Sequence, residues 1–192
     1  GAMRVIAGLQ KGRRLAGPKG AGLRPTADRV KEALFAILGP RVEGARFLDL
    51  YAGTGAIGIE ALSRGARWVT FVESNPTALR VLRANLDRCG LGGSADIQAC
   101  RAGGFFRRAE AGDDPYDIVF ADPPYHTGTG ATLLPSLDQA AIITTESTVI
   151  LERFTKLPLP SQVGRLTLVR EYGYGDTTLS VFGVNVKGTP SP

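Results

Sequence analysis

The feature that most constrains this chain is an alternation. Short apolar runs recur between segments of helical period from residue 47 to residue 152. Phe47–Tyr51, Trp68–Val72, Ile97–Cys100, Asp117–Ala121 and Thr148–Glu152 read as strands. Ile59–Arg64 reads as a helix, as does the stretch from Asn75-Pro76 to about Arg88, with Leu79, Leu82 and Leu86 turned inward. Strands that alternate with helices build a parallel, doubly wound α/β sheet. Further on, Arg165–Tyr172 and Thr177–Val184 alternate around a turn at Gly173–Asp176, which predicts an antiparallel hairpin added to that sheet. Upstream, Val30, Leu34, Ile37 and Leu38 form a helical stripe, with Thr26 as the predicted N-cap and Gly39-Pro40 as the stop. Met3–Leu15, apolar pieces broken by glycine, predicts a hairpin or two. Residues 18–22 read as a loop, and 187–192 as a loose tail.

A chain of 192 residues suits one domain with a small appendage. The expected division is a basic hairpin extension over residues 3–24 and a main domain over 25–186. The net charge is +5, but residues 1–31 alone carry +7 and the remainder −2. A basic arm on a nearly neutral body predicts a polyanionic partner, with Lys11, Arg13, Arg14, Arg24 and Arg29 as candidate contacts. No apolar run reaches the ~18 residues of a membrane span, and no secretory signal is expected. Gly1-Ala2 before Met3 reads as an expression scar. Cys89, Cys100 and the single His126 have no metal-ligand spacing, so no metal is expected. The two thiols are expected reduced.

The segment Asp49-Leu50-Tyr51-Ala52-Gly53-Thr54-Gly55-Ala56-Ile57-Gly58 leaves a strand and opens a helix. Its glycines let the backbone turn tightly and approach a ligand. Gly53, Gly55 and Gly58 also satisfy the dinucleotide fingerprint. Asp49 discriminates. A carboxylate there repels a pyrophosphate but suits a cationic amino-acid moiety, such as the ammonium of S-adenosylmethionine. Glu73, at the end of the second strand, can accept from both hydroxyls of a ribose. The bland alternatives are a helix cap for Asp49 and a solvated strand end for Glu73. The candidate cofactor contacts are Asp49, Tyr51, Ala52, Gly53, Thr54, Gly55, Gly58 and Glu73, then Ser74 and Asn75.

Asp122-Pro123-Pro124-Tyr125 follows the apolar strand Ile118-Val119-Phe120-Ala121 and is the most specific signal in the chain. Two prolines stiffen the turn at the carboxyl end of a strand, where α/β sheets bind ligands. The Asp122 carboxylate and the Pro123 carbonyl can accept both hydrogens of an exocyclic amine. That arrangement aims the nitrogen lone pair at a methyl donor. Tyr125 offers a ring for stacking on an unpaired base, worth ~1–3 kcal/mol. In-line transfer from a sulfonium asks mainly for alignment. Asp122, Pro123, Pro124 and Tyr125 are therefore the candidate catalytic residues. His126 reads as a loop residue near the substrate more than as a base, and Arg107-Arg108 as a solvated helix face.

On these residues the chain resembles the guanine-N2 methyltransferases of bacterial 16S ribosomal RNA, the small-subunit methyltransferase D family. The resemblance covers nearly the whole chain: Arg4-Val5-Ile6-Ala7-Gly8, Gly12-Arg13-Arg14-Leu15, the run from Leu23 to Phe35, the glycine loop, Val72–Pro76, Asp122–Tyr125 and Tyr174–Thr177. The run Arg24-Pro25-Thr26-Ala27-Asp28-Arg29-Val30-Lys31-Glu32-Ala33 narrows it within the superfamily. It implies a class I S-adenosylmethionine-dependent methyltransferase fold, Rossmann-like, with a seven-stranded, mostly parallel sheet, an antiparallel C-terminal hairpin and an N-terminal β-hairpin extension. It also implies S-adenosylmethionine as donor and N2-methylation of guanine 966 in 16S rRNA of the assembling 30S subunit. A cytoplasmic monomer is expected. Arg24, Thr26, Asp28 and Arg29 are implied near the cofactor and RNA cleft. One departure stands out: many relatives carry an acidic or amide residue near the cofactor's adenine, where this chain has Ala99-Cys100-Arg101-Ala102.

Three rival readings share parts of this pattern. A DNA adenine or cytosine methyltransferase shares the Asp-Pro-Pro-Tyr signal, but no target-recognition domain is visible. A nucleotide-dependent dehydrogenase is opposed by Asp49 and the proline motif. A non-catalytic RNA-binding assembly factor would keep the fold and survive loss of Asp122.

Overall fold

The alternation predicted from sequence is realised as parallel pairing. The computed structural model describes residues 3–17, 25–124 and 128–186, the side chains of 25–27 excepted. Arg24, Tyr125 and His126, the loop at 18–22 and the tail from Lys187 lie outside the described residues. The chain divides into two units, Gly1–Arg101 and Ala102–Pro192. The fold is α/β, with mostly parallel strands and an antiparallel C-terminal hairpin.

The first unit opens with β1 (Met3–Arg4) and β2 (Arg14–Leu15), paired antiparallel as the predicted hairpin. Helix α1 (Pro25–Leu38) follows. Pro25 is its first residue, so Thr26 lies inside the first turn and is not the N-cap. Proline suits that position because the N–H it lacks has no partner inside the helix. A 3₁₀ turn over Gly39–Val42 continues α1 past the predicted stop. Then come β3 (Arg46–Leu50), α2 (Ala56–Ser63), β4 (Trp68–Glu73), α3 (Pro76–Cys89) and β5 (Ala95–Ala99). β3 pairs parallel with β4, and β4 with β5. The apolar runs of β3 and β4 are buried nearly end to end, as a sheet covered on both faces demands. Asn75 caps α3 as expected, its side chain accepting from the amides of Thr77 (2.9 Å) and Ala78 (3.0 Å). Helix α2 begins three residues earlier than Ile59, directly at the glycine loop.

The second unit holds α4 (Ala102–Arg108), β6 (Tyr116–Ala121), α5 (Thr129–Gln139), β7 (Ile143–Phe154), β8 (Gln162–Val163), β9 (Leu166–Tyr174) and β10 (Thr177–Val184). Arg107 and Arg108 are exposed on α4, as expected. β6 and β7 pair parallel, β10 lies antiparallel between β7 and β9, and β8 pairs antiparallel with β9. Two-residue β8 adds to the seven strands that the resemblance implies. Thr177 pairs with Tyr174, so the hairpin turn is only Gly175-Asp176. β7 starts five residues before the predicted Thr148 because its early, polar stretch crosses an irregularity opposite β6. Buried Ser147 repairs it, donating to the Tyr116 carbonyl (2.6 Å) and accepting from the Thr144 amide (2.9 Å). The sequence reading assigns no element to α5, whose Gly130 and Pro135 weaken the helical signal.

Candidate active site

In the first unit, the end of β3 turns sharply into α2. Tyr51 is the one non-glycine among the described residues with positive φ (+57°), a conformation that costs about 1–3 kcal/mol and clusters at functional sites. Burial pushes its phenol above the ordinary value. The Ala52 amide donates to the Val72 carbonyl (3.0 Å) and the Gly55 amide to the Ala52 carbonyl (2.9 Å), which closes the loop. Gly58 permits close packing of α2 on the sheet: a Cβ there would sit 2.2 Å from the Phe71 ring.

Two carboxylates hold this loop from inside. Asp49 is 3% exposed, and its Oδ2 accepts from the Gly58 amide at 3.0 Å. That amide belongs to the first turn of α2, where helices leave N–H groups without backbone partners. Glu73 Oε1 accepts from the Gly53 amide (2.7 Å), and Oε2 accepts from the amides of Ser74 (2.9 Å) and Asn75 (2.8 Å). Both candidate acids are thus brought to the loop together with Gly53, Gly55 and Gly58. The Asn75 side chain is occupied in capping α3, leaving its amide on Glu73.

Asn85 was missed by the sequence reading. This fully buried amide on α3 donates to the Thr54 carbonyl (3.0 Å) and exchanges two hydrogen bonds with Ala16 (2.8 and 3.0 Å). Its one signal is a polar residue next to Leu86 on the apolar face.

The basic arm is anchored by Glu60, which was also missed. Glu60 is 0% exposed. It accepts from the amides of Ile6 (2.8 Å) and Ala7 (3.0 Å) and from Arg64 Nε (2.8 Å), and pairs with Lys31 (3.4 Å). Lys31 also donates to the Arg4 carbonyl (2.9 Å). Ser63 takes the next turn, accepting from the Gln10 amide (2.9 Å) and donating to the Ala7 carbonyl (2.6 Å). Gly8 has φ +86°, and a Cβ there would fall 1.9 Å from the Ser63 carbonyl oxygen, so the arm lies flat on α2. Lys11, Arg13 and Arg14 remain exposed, as does Arg29 on α1.

In the second unit, β6 ends at Ala121 and runs into Asp122, which is exposed, Pro123, which is buried, and Pro124, which is exposed. The β6–β7 register pairs Ala121 with Leu151. Glu152 is next on β7; burial first, then the charge of Asp122 and its reach for a shared hydrogen bond, push the Glu152 carboxyl up to about 9. A cavity of about 150 Å³ opens beside this pair, lined among others by Pro123, Pro124, Glu152, Phe154 and Leu159. The signal that could have found Glu152 is its place: an acid straight after an apolar run, as with Glu73 and Asp122.

Among the described residues no group of three or more metal-ligating side chains converges, and no helix is long and apolar enough to cross a membrane.

Residues 3–183 match the model of the family described as conserved hypothetical protein 95. The chain is 34% identical over 188 residues to ribosomal RNA small subunit methyltransferase D of Escherichia coli K12, covering 98% of this chain and 93% of that one. The protein of the same name from Haemophilus influenzae is 40% identical over 126 residues, 66% of this chain and 65% of that one. A solved structure of a hypothetical protein from Thermus thermophilus has a TM-score of 0.79 at 32% identity, over 96% of this chain and 100% of that one. The chain therefore belongs to the conserved hypothetical protein 95 family, as a relative of ribosomal RNA small subunit methyltransferase D.

Proposed function

We propose that this chain is an S-adenosylmethionine-dependent methyltransferase that modifies N2 of guanine 966 in 16S rRNA of the assembling 30S subunit. It acts as a cytoplasmic monomer. Asp49 does cap α2, the alternative its position also allowed, and the consequence of that cap for the cofactor carries this reading. Dinucleotide-binding folds leave the first helical turn free for a pyrophosphate. Here a buried carboxylate already occupies a first-turn amide, and the loop from Asp49 to Gly58 carries no Lys or Arg. The donor set thus fits a cationic, phosphate-free cofactor. Asp49, Tyr51, Ala52, Gly53, Thr54, Gly55 and Gly58 would hold its amino-acid end, directly or through water. Glu73 and the backbone of Ser74 and Asn75 would hold the ribose, since a carboxylate that accepts three amide bonds still has a lone pair to offer. The names of the relatives support the same class and an RNA substrate.

S-adenosylmethionine, when bound, supplies a methyl group on a sulfonium that leaves as a neutral thioether. The chain's own residues prepare the acceptor. Asp122 accepts one hydrogen of the guanine N2 and the Pro123 carbonyl the other, so that the lone pair is aimed. Tyr125 stacks on the base. As the N–C bond forms, N2 becomes cationic and gives up one proton to the Asp122 carboxylate, which is exposed and returns it to water. Arg24 and Thr26 serve the cofactor. Residues 3–24 act as the RNA-contacting extension through Lys11, Arg13, Arg14 and Arg24, with Arg29 beside them, and residues 25–186 as the methyltransferase domain.

The test is methyl transfer from labelled S-adenosylmethionine to 30S particles, free 16S rRNA and duplex DNA, followed by nucleoside mass spectrometry. N2-methylguanosine in the particles supports the reading. Methylated DNA, or binding of RNA without methylation, overturns it.

A further inference from the structure

The carboxyl ends of β6 and β7 bring two acids side by side. With Ala121 opposite Leu151, the next step of the parallel register sets Asp122 next to Glu152. Matching positions on adjacent parallel strands lie about 4.8 Å apart with side chains on one face. Pro123-Pro124 stiffens the chain on one side and the β7–β10 ladder holds Glu152 on the other, which limits how far either acid can swing. That spacing lets the two carboxyls share a hydrogen bond. Such a bond needs one proton between two carboxylates, because like charges in contact disfavour double ionisation. Asp122 is exposed and Glu152 half-buried, so Glu152 keeps the proton and Asp122 the charge.

Most charged groups around the pair are engaged elsewhere. The cross-strand neighbour of Glu152 on β10 is uncharged Leu179, and beyond it on β9 stands Tyr172. Arg170 of β9 lies over the Tyr172 ring, 5.1 Å from its centre. Arg153, next along β7, is bonded to Glu171 and Ser180. Asp138 of α5 is engaged with Arg165. Lys156, on the loop after β7, is exposed.

We infer that Glu152 is a positioning residue for the methyl transfer: it holds the Asp122 carboxylate by a hydrogen bond and so fixes the acceptor that aims the amino group of the base. This rests on the function proposed above. Asp122 is exposed at the end of its strand, and the bond from Glu152 restricts its rotamers at the moment of alignment. Misplacement of an aligning group by about 1 Å costs on the order of a hundredfold in rate.

Three variants and two measurements test this. Glu152→Gln keeps a donor to Asp122 and cannot ionise, so kcat on 30S particles near neutral pH should stay within about twofold of wild type. Glu152→Ala should lose roughly 10–100-fold in kcat, with KM for S-adenosylmethionine unchanged. Above the Glu152 titration, near pH 9, wild type should lose activity while Glu152→Gln does not. Wild-type kcat in the Ala variant, or a Gln variant as slow as Ala, overturns the inference. The second measurement needs no turnover. The ¹³C-labelled Glu152 carboxyl should titrate near 9 in wild type and fall towards the ordinary range in Asp122→Asn. Titration in the ordinary carboxylate range in wild type overturns the inference even if methylation is robust. A wild-type protein that methylates nothing while Glu152 titrates near 9 refutes the function and leaves the pairing standing.

Discussion

Both units end a strand in an acid, and the two ends are built in opposite ways. On the glycine loop, Asp49 and Glu73 meet N–H donors: Gly58 on one, Gly53, Ser74 and Asn75 on the other. At the proline turn, Asp122 meets a second carboxyl, Glu152. Donors around an acid satisfy it and lock the backbone that supplies them, which suits a rigid holder. An acid against an acid raises a pKa and leaves the exposed member as a charged acceptor, which suits chemistry. On the function proposed above, the same residue type serves as scaffold in one unit and as reagent in the other.

Five variants, one of them followed across pH, can break or sharpen that contrast. The largest effect is expected from Asp122→Ala, with methylation down by about 10²–10³-fold and S-adenosylmethionine affinity unchanged by calorimetry. Equal loss of cofactor affinity would erase the division between holder and reagent. Glu73→Ala should do the reverse, weakening cofactor binding about tenfold to a hundredfold through lost charge-assisted hydrogen bonds. Glu60→Ala probes the anchoring of the arm. It leaves Lys31 buried without its carboxylate, and breaking such a pair costs about 3–5 kcal/mol, read as a fall in Tm of roughly 6–20 °C. A Tm within about 2 °C of wild type, the shift of a single kcal/mol, would mean the arm is not held there. Stability should also depend on pH through Glu152. Its folded value is raised from 4.5 to about 9, so the folded state binds a proton that the unfolded chain has lost. That contribution is complete below about 4.5 and declines as pH rises through about 9, so Glu152→Gln should gain relative to wild type across that window. A constant difference between the two melting curves would contradict the shared proton. The smallest effect is expected from neutralising Arg13 and Arg14 together. RNA binding should weaken and the slope of log K against log salt should fall by about 1.4. An unaltered slope would remove the phosphate role of the arm.

The sequence made the loop and the proline turn legible because each is a local pattern. Glycines, prolines and acids at strand ends act within a few residues of one another, and Asn75-Pro76 announces α3 by the same short-range logic. The partners of those acids were less legible. Glu60 sits between Ile59 and Ala61 with no sign that it anchors Ile6 and Ala7, more than fifty positions away. Asn85 breaks an apolar face yet cannot reveal from spacing that it joins Thr54 to Ala16. Glu152 stands thirty residues after Asp122, and only the register of β6 on β7 makes them neighbours.

By itself the sequence determined the α/β class, the glycine loop, the proline turn and the basic arm. These follow from apolar periodicity, fixed φ angles and charge, all of which act along the chain. Tertiary structure decided what each acid faces. That depends on strand register and on which polar groups are buried together, so it is set by the free energy of packing distant segments and leaves no local periodicity to read.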